Sequence, residues 1–293
     1  NSYILFFASF GMISLLALFN VLRLNGNFVL SQSVSNFWKF GLLVISVSFY
    51  VFENFGFEYF INTLGINIII IFLCSIYVVL KTVKLKFNEV VTNRELFLSG
   101  FYFFLAILSF SLLTFSDRFL VENKFSVELF GDYFYLTNFF LAPYAILQNY
   151  VGFKQLIFFK NNFSLEYFNK INLKSLCLGI ILAVVLYLFS LVVDSLQIVN
   201  FDFNQYSSIV PLLLLMGIVR LYSTSILSAF EAKTTVKALR KSNLIIVGNT
   251  FAVLLFAFFI SNSLESILIC IVAVWILRAV VHKRILVEQL VKQ

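Results

Sequence analysis

Residues 174–194 read Lys174-Ser-Leu-Cys-Leu-Gly-Ile-Ile-Leu-Ala-Val-Val-Leu-Tyr-Leu-Phe-Ser-Leu-Val-Val-Asp194. Nineteen uncharged residues separate the lysine from the aspartate. A helix rises ~1.5 Å per residue, so about 20 such residues cross the roughly 30 Å hydrocarbon core of a bilayer. Apolar residues occupy every face of this segment, which suits lipid rather than the one-sided core of a soluble bundle. The two ends also differ in the sign of their charge, and that difference recurs along the chain.

Working outward from this segment, nine spans are expected, at about 3–22, 36–55, 61–81, 95–116, 131–153, 174–194, 207–230, 242–260 and 264–281. Composition agrees. The chain is 61% apolar and 12% charged, whereas soluble domains are about half apolar and a quarter charged. Of 21 lysines and arginines, 18 fall in one alternating set of connecting segments. These are Arg23 to Lys39, Lys81 to Glu95, Lys154 to Lys174, Glu231 to Lys241 and the tail from Arg278. The other set runs from Glu53 to Asn62, Asp117 to Asp132, Asp194 to Gln205 and Ser261 to Glu265. Among basic residues it holds only Arg118 and Lys124, but it carries nine acidic ones. The positive-inside rule makes the first set, and the C-terminus, cytoplasmic. The net charge of +7 is spread over short segments and forms no single patch. Anionic lipid is therefore the expected partner, and nucleic acid is not.

The first residue, Asn1, then lies outside, and no signal peptide precedes the first span. An odd number of upstream helices is expected. A weak internal repeat suggests three. Ser35-Asn36 followed by Gly41 matches Ser242-Asn243 followed by Gly248 in spacing. On that reading residues 1–88 are the last three helices of an N-terminal lobe and residues 89–293 a complete six-helix C-terminal lobe, nine helices of an expected twelve.

Polar residues within spans carry the functional signal. Arg220 lies near the middle of 207–230, where an arginine costs about 2.5–3.5 kcal/mol to insert. It shares a face with Ser223, Thr224, Leu227 and Glu231. Either it meets an anion in a water-filled cavity, since a guanidinium fork matches phosphate, or it pairs with a carboxylate on a neighbouring helix. Asn138, Ala142, Ala145, Asn149 and Gly152 line one face of 131–153, suited to close packing or to a cavity wall. Pro143 between the two asparagines is expected to kink the helix and offer a hinge. Pro211, near the start of its span, needs no special account.

Asp117-Arg118 is placed at the outer end of its span, as a solvated pair or a functional one. Phe119 to Gly131 is expected to lie along the headgroups. Glu53, Asp194 and Arg278 read as end anchors, Tyr133 and Tyr135 as an aromatic belt. His282 reads as an exposed residue of a basic tail, and Cys74, Cys177 and Cys270 as buried thiols without metal or disulfide spacing.

Phe115-Ser116-Asp117-Arg118-Phe119-Leu120, followed by Ser126-Val127-Glu128-Leu129-Phe130-Gly131-Asp132-Tyr133, resembles the opening of the second half of polysaccharide flippases. The whole chain is similar in layout to Wzx-type O-antigen flippases of the MATE-like (MOP) superfamily. The resemblance implies two six-helix lobes around a central cavity, rocking between inward-open and outward-open states in the bacterial inner (plasma) membrane. It implies an undecaprenyl-pyrophosphate-linked oligosaccharide as cargo, membrane lipids and other polysaccharide-assembly proteins as partners, and no cofactor. Arg220 would engage the pyrophosphate, with Thr224, Asn138 and Asn149 as further substrate contacts. Asp117, Arg118 and Pro143 would gate or brace the lobe.

Two other readings compete. An ion-coupled exporter on the same fold would want carboxylates buried in the bundle, and the acids here read mostly as span ends. A membrane polymerase or ligase would want a large outer loop carrying Arg, His or acidic residues, and the outer segments are short and lack His. An enzyme is therefore not expected, and no Walker A glycine loop is present for ATP hydrolysis.

Overall fold

A computed structural model describes residues 2–25, 27–51, 56–83, 93–197, 199 and 201–290. Their regular structure is entirely helical. The helices are α1 (Ser2–Leu24), α2 (Phe28–Val51), α3 (Phe57–Thr82), α4 (Asn93–Lys124), α5 (Val127–Asn161), α6 (Leu165–Ser195), α7 (Ile209–Lys233), α8 (Val236–Ile260) and α9 (Leu264–Leu290). A single 3-10 turn at Asn204–Tyr206 precedes α7. They form two compact units, Asn1–Val90 and Val91–Gln293. Glu53 and the lobe boundary expected at residue 88 lie outside the described residues.

The chain is a multi-pass membrane protein by helix length and apolarity. Among the described residues six helices meet both conditions: α1, α3, α6, α7, α8 and α9. The other three are long enough, at 24, 32 and 35 residues for α2, α4 and α5, but more polar. The first half of α2 holds Ser31, Gln32, Ser33, Ser35, Asn36 and Lys39. Charged residues mark both ends of α4. Asp132, Asn138, Gln148, Asn149 and Lys154 are strung along α5.

Short polar residues set several helix starts. The side chains of Ser126, Ser164 and Thr235 accept from the backbone N–H of Leu129, Tyr167 and Ala238, supplying acceptors that the first helical turn lacks. The first of these caps corrects an expectation. No separate interfacial segment follows Asp117-Arg118. Instead α4 continues to Lys124, and α5 begins after only residues 125–126. Apolar residues on either side of Asp117 continue the helical pattern, so the charged pair never ends it.

Around an apolar core that includes Leu113, Phe140, Leu213 and Trp275, α6 packs inside-out relative to a helix of a soluble bundle. The buried stripe of α6 is Ser175, Gly179, Ala183, Leu186, Ser190 and Val193, while Ile181, Val184, Val185, Leu188 and Phe189 face outward. Between lipid-immersed helices there is no hydrophobic drive, so small residues that permit close approach form the contacts. α7 sits at the centre, against α5, α6 and α9. Over half of its apolar stretch is buried (56%), against 22% for α8. A Cβ on Gly217 would lie 2.4 Å from the Tyr144 ring, and a Cβ on Gly179 3.4 Å from Ile218 Cα. The Tyr144 hydroxyl donates to the Gly179 carbonyl at 2.9 Å. One tyrosine thus joins α5, α6 and α7.

The connections of this unit segregate to two ends, as the charge alternation requires. At one end Lys124 donates to the carbonyls of Ala257 and Ser261. There too Tyr206 donates to Asp132, Ser208 to Glu265 and Asn204 to Asp194. At the other end Lys233 donates to the Lys160 carbonyl and Gln289 to the Thr235 hydroxyl. Asp194 therefore acts at a helix end, as expected.

In the first unit α1, α2 and α3 pack on one another around Leu15, Leu22, Val34, Ile71 and Val79. The two copies of the suspected repeat have different surroundings. A Cβ on Gly41 would strike the Asn67 side chain at 2.2 Å, whereas Gly248 has nothing within 4 Å. Asn243 is buried and Asn36 exposed. The cysteines also depart from expectation. Cys74 and Cys177 are exposed and Cys270 is intermediate, because their helices turn large faces outward.

Two outcomes follow. Gly217→Ala forces the α5–α7 contact apart and should cost roughly 1–3 kcal/mol. Gly248→Ala meets open space and should gain about 0.5–1 kcal/mol in helix preference. Thermal unfolding in detergent reads both, with opposite signs. Tyr206, buried and bonded to Asp132, has its hydroxyl pushed up to about 12 by burial and then by that carboxylate. A pKa raised in the folded state gives stability that is complete below the unfolded value, about 10, and is lost as pH rises through 12. The tyrosinate absorbance that disappears in Tyr206→Phe should accordingly develop only near pH 12.

Candidate functional site

The site is a set of charged and aromatic side chains inside the second unit, gathered from α4, α5, α7 and α9. Its first member is Asp117. The carboxylate is 3% exposed and accepts from the Tyr133 hydroxyl at 2.8 Å. Tyr133 is fully buried at 0%. Asp117 is thus no solvated end residue, and Tyr133 belongs to no interfacial belt. Because α4 runs on past Asp117 and α5 folds straight back against it, both are placed within the packed unit. Tyr135, two residues on, stacks on Phe201 with ring centroids 4.6 Å apart.

Arg118 points the other way. Its Nη2 donates to Asn138 Oδ1 at 3.1 Å, and its guanidinium lies 4.7 Å above the Phe134 ring. The family-like pair is therefore divided between a buried acid and a partly exposed base.

Arg220 holds its guanidinium 4.9 Å above the Trp275 ring on α9. Its Nε is buried and makes no hydrogen bond, and one oxygen of Asp117, Oδ1, is in the same condition. The two charges feel each other, yet no ion pair within 4.0 Å joins them. Neither expectation for Arg220 is met in full: a carboxylate on a neighbouring helix is near, and the guanidinium still has a donor to spend.

The rest of the α7 polar stripe is largely spent on packing. Thr224 donates to the Arg220 carbonyl at 2.9 Å, and its methyl would be 2.9 Å from a Cβ on Gly152. Ser228 donates to the carbonyls of Thr224 and Gly152. Ser225 donates to Asn172 of α6. On α5, Asn138, Ala142, Ala145 and Asn149 are all exposed, and Gly152 meets Thr224 and Ser228 of α7. This face is open, as a cavity wall would be. The helix runs unbroken through Pro143.

The sequence reading placed α9 but missed its buried polar face and its extension past residue 281. Arg278 was placed at a span end and His282 in an exposed tail, but both are buried, at 7% and 2%. The helix continues to Leu290, because Ala279, His282, Ile285 and Leu286 extend a buried stripe beyond the last long apolar run. Arg278 lies 5.3 Å from the same Trp275 ring and within the field of Glu231. His282 stacks on Phe230 at 4.6 Å. The signal was present in the spacing of Trp275, Arg278 and His282, which puts all three on one face. Arg118, Arg220 and Arg278 thus lie near Asp117 and Glu231, with Asp117 and Arg278 buried, Arg118 and Arg220 half-buried and Glu231 exposed.

Removing the shared ring should expose how far it offsets this charge. Trp275→Leu is expected to destabilise the unit by about 2 kcal/mol for each desolvated guanidinium left without its ring, and Trp275→Phe by clearly less. Thermal unfolding of the two variants checks the order. In comparisons with known proteins, no family model, no curated protein and no solved structure matches the chain.

Proposed function

We propose that the protein moves a lipid-linked oligosaccharide carrying a diphosphate across the membrane by alternating access, in the manner of polysaccharide flippases. The observation that carries this reading is Arg220: a cation halfway along α7 whose Nε is buried and uncommitted. A guanidinium with a free donor in a low-dielectric site is suited to a phosphate oxygen. The open polar face of α5 would give a head group hydrogen-bonding partners through Asn138 and Asn149. A groove of about 460 Å³ between α4 and α8, lined by Leu112, Phe115, Phe119, Phe251, Leu255 and Phe258, gives the isoprenoid tail an apolar wall. Ser116, in the same wall, precedes Asp117, so tail and head-group surfaces adjoin. On this reading the chain spans the bacterial inner membrane many times, with its basic segments and C-terminus in the cytoplasm.

One observation favours a second reading. Asp117 is a carboxylate buried in the bundle, the feature an ion-coupled exporter of small molecules would need. In a strain lacking its flippase, the full-length protein should restore surface polysaccharide. At equal protein level Arg220→Ala should lose it, and Arg220→Lys, which keeps the charge but not the fork, should retain a part. Full restoration by Arg220→Ala would remove Arg220 from cargo binding. Drug resistance without polysaccharide would favour the exporter.

A further inference from the structure

We propose that Asp117 takes up one proton when an oxyanion binds at Arg220, so that the cargo's anionic group and a proton load together. The proposal rests on the reading of Arg220 as an anion site.

Three observations converge. Asp117 is 3% exposed; its Oδ2 accepts from Tyr133, the Arg118 backbone N–H also acts on the carboxylate, and Oδ1 meets no donor at hydrogen-bond geometry. Its other oxygen and Arg220 Nε are both buried without a hydrogen bond. The two groups act on each other electrostatically but do not touch. A buried polar group left unbonded costs about 1–3 kcal/mol, more when charged, so this is an arrangement awaiting a third group. That group must accept from Arg220. An oxyanion does so, but it also sets a second negative charge beside the Asp117 carboxylate. In a site of low dielectric constant two such charges cannot both stay ionised cheaply.

A proton on Asp117 resolves the conflict. It arrives from water, forms an O–H bond on the carboxylate and leaves the carboxyl neutral. Because the Tyr133 hydroxyl already occupies Oδ2 as an acceptor, Oδ1 is the oxygen free to carry it. An orphan acceptor then becomes a donor available to the anion. Among the described residues, the charged or titratable groups that act on Asp117 are Tyr133 on α5, Arg220 on α7 and Arg118 on α4 itself. Arg118 is already held by Asn138 and Phe134. Neither it nor Tyr133 replaces Asp117 as the proton's seat.

The test is calorimetry on the full chain in lipid nanodiscs, in buffers of different ionisation enthalpy. The probe is a short-chain alkyl diphosphate esterified at both phosphates, which does not itself titrate near neutral pH. Wild type should take up one proton per bound probe, with affinity falling by up to about tenfold per unit rise in pH. Asp117→Asn should bind with no proton uptake and a flat pH dependence. Tyr133→Phe, which removes the donor that favours the ionised carboxylate, should move the midpoint of the pH dependence upward. It keeps the test decisive if Asp117→Asn does not fold. Binding by wild type without proton uptake, uptake persisting in Asp117→Asn, or an unchanged midpoint in Tyr133→Phe each overturns the proposal. Absence of probe binding, or binding undiminished in Arg220→Gln, instead overturns the anion-site reading, and the proposal with it.

Discussion

The absence of a side chain at Gly217 is the constraint on which the second unit depends. The Tyr144 ring occupies the space a Cβ would fill, and its hydroxyl reaches the Gly179 carbonyl beyond. In lipid, apolar surface gains nothing by leaving the solvent, so helices associate through close contact and hydrogen bonds. One aromatic side chain supplies both across three helices. Arg220 lies one turn further along the same helix. Its approach to Trp275 and Asp117 follows from how closely α7 sits among its neighbours.

The charged cluster obeys the same logic. Each guanidinium rests on an aromatic face, Arg118 on Phe134 and Arg220 and Arg278 on Trp275. Ring faces are partners that remain favourable where water is scarce, and at Arg220 the Nε edge is left without a hydrogen bond. A buried cation fully paired with carboxylates would be a structural feature and little more. Here Arg220 and Asp117 are close enough to interact and too far apart to bond.

Much of the architecture was legible in the residues. Nine spans were expected; the described residues form nine α-helices, of which six are long and apolar enough to cross a membrane, since a run of about 20 apolar residues in lipid must bond its backbone internally. The six helices apolar enough to span by themselves are those with long uninterrupted runs. The errors cluster where charge was taken as a mark of the membrane surface. Asp117, Arg278 and His282 were assigned to helix ends or a tail because charged groups are costly in lipid. All three are instead buried among neighbouring helices, where hydrogen bonds and aromatic faces reduce that cost. Tyr133 was misplaced for the same reason, since its role depends on an acid sixteen residues away.

The sequence by itself therefore determined the class of the protein and the approximate places of its helices, and it marked Arg220 as the cation out of place. Those properties depend on local composition and on the uniform demands of a bilayer. Only the tertiary structure decided what Arg220 faces, that Asp117 and Tyr133 form one unit, and that Trp275 serves two arginines. Such pairings join α4 to α5 and α7 to α9, and no local pattern reports which face of one helix meets which face of another.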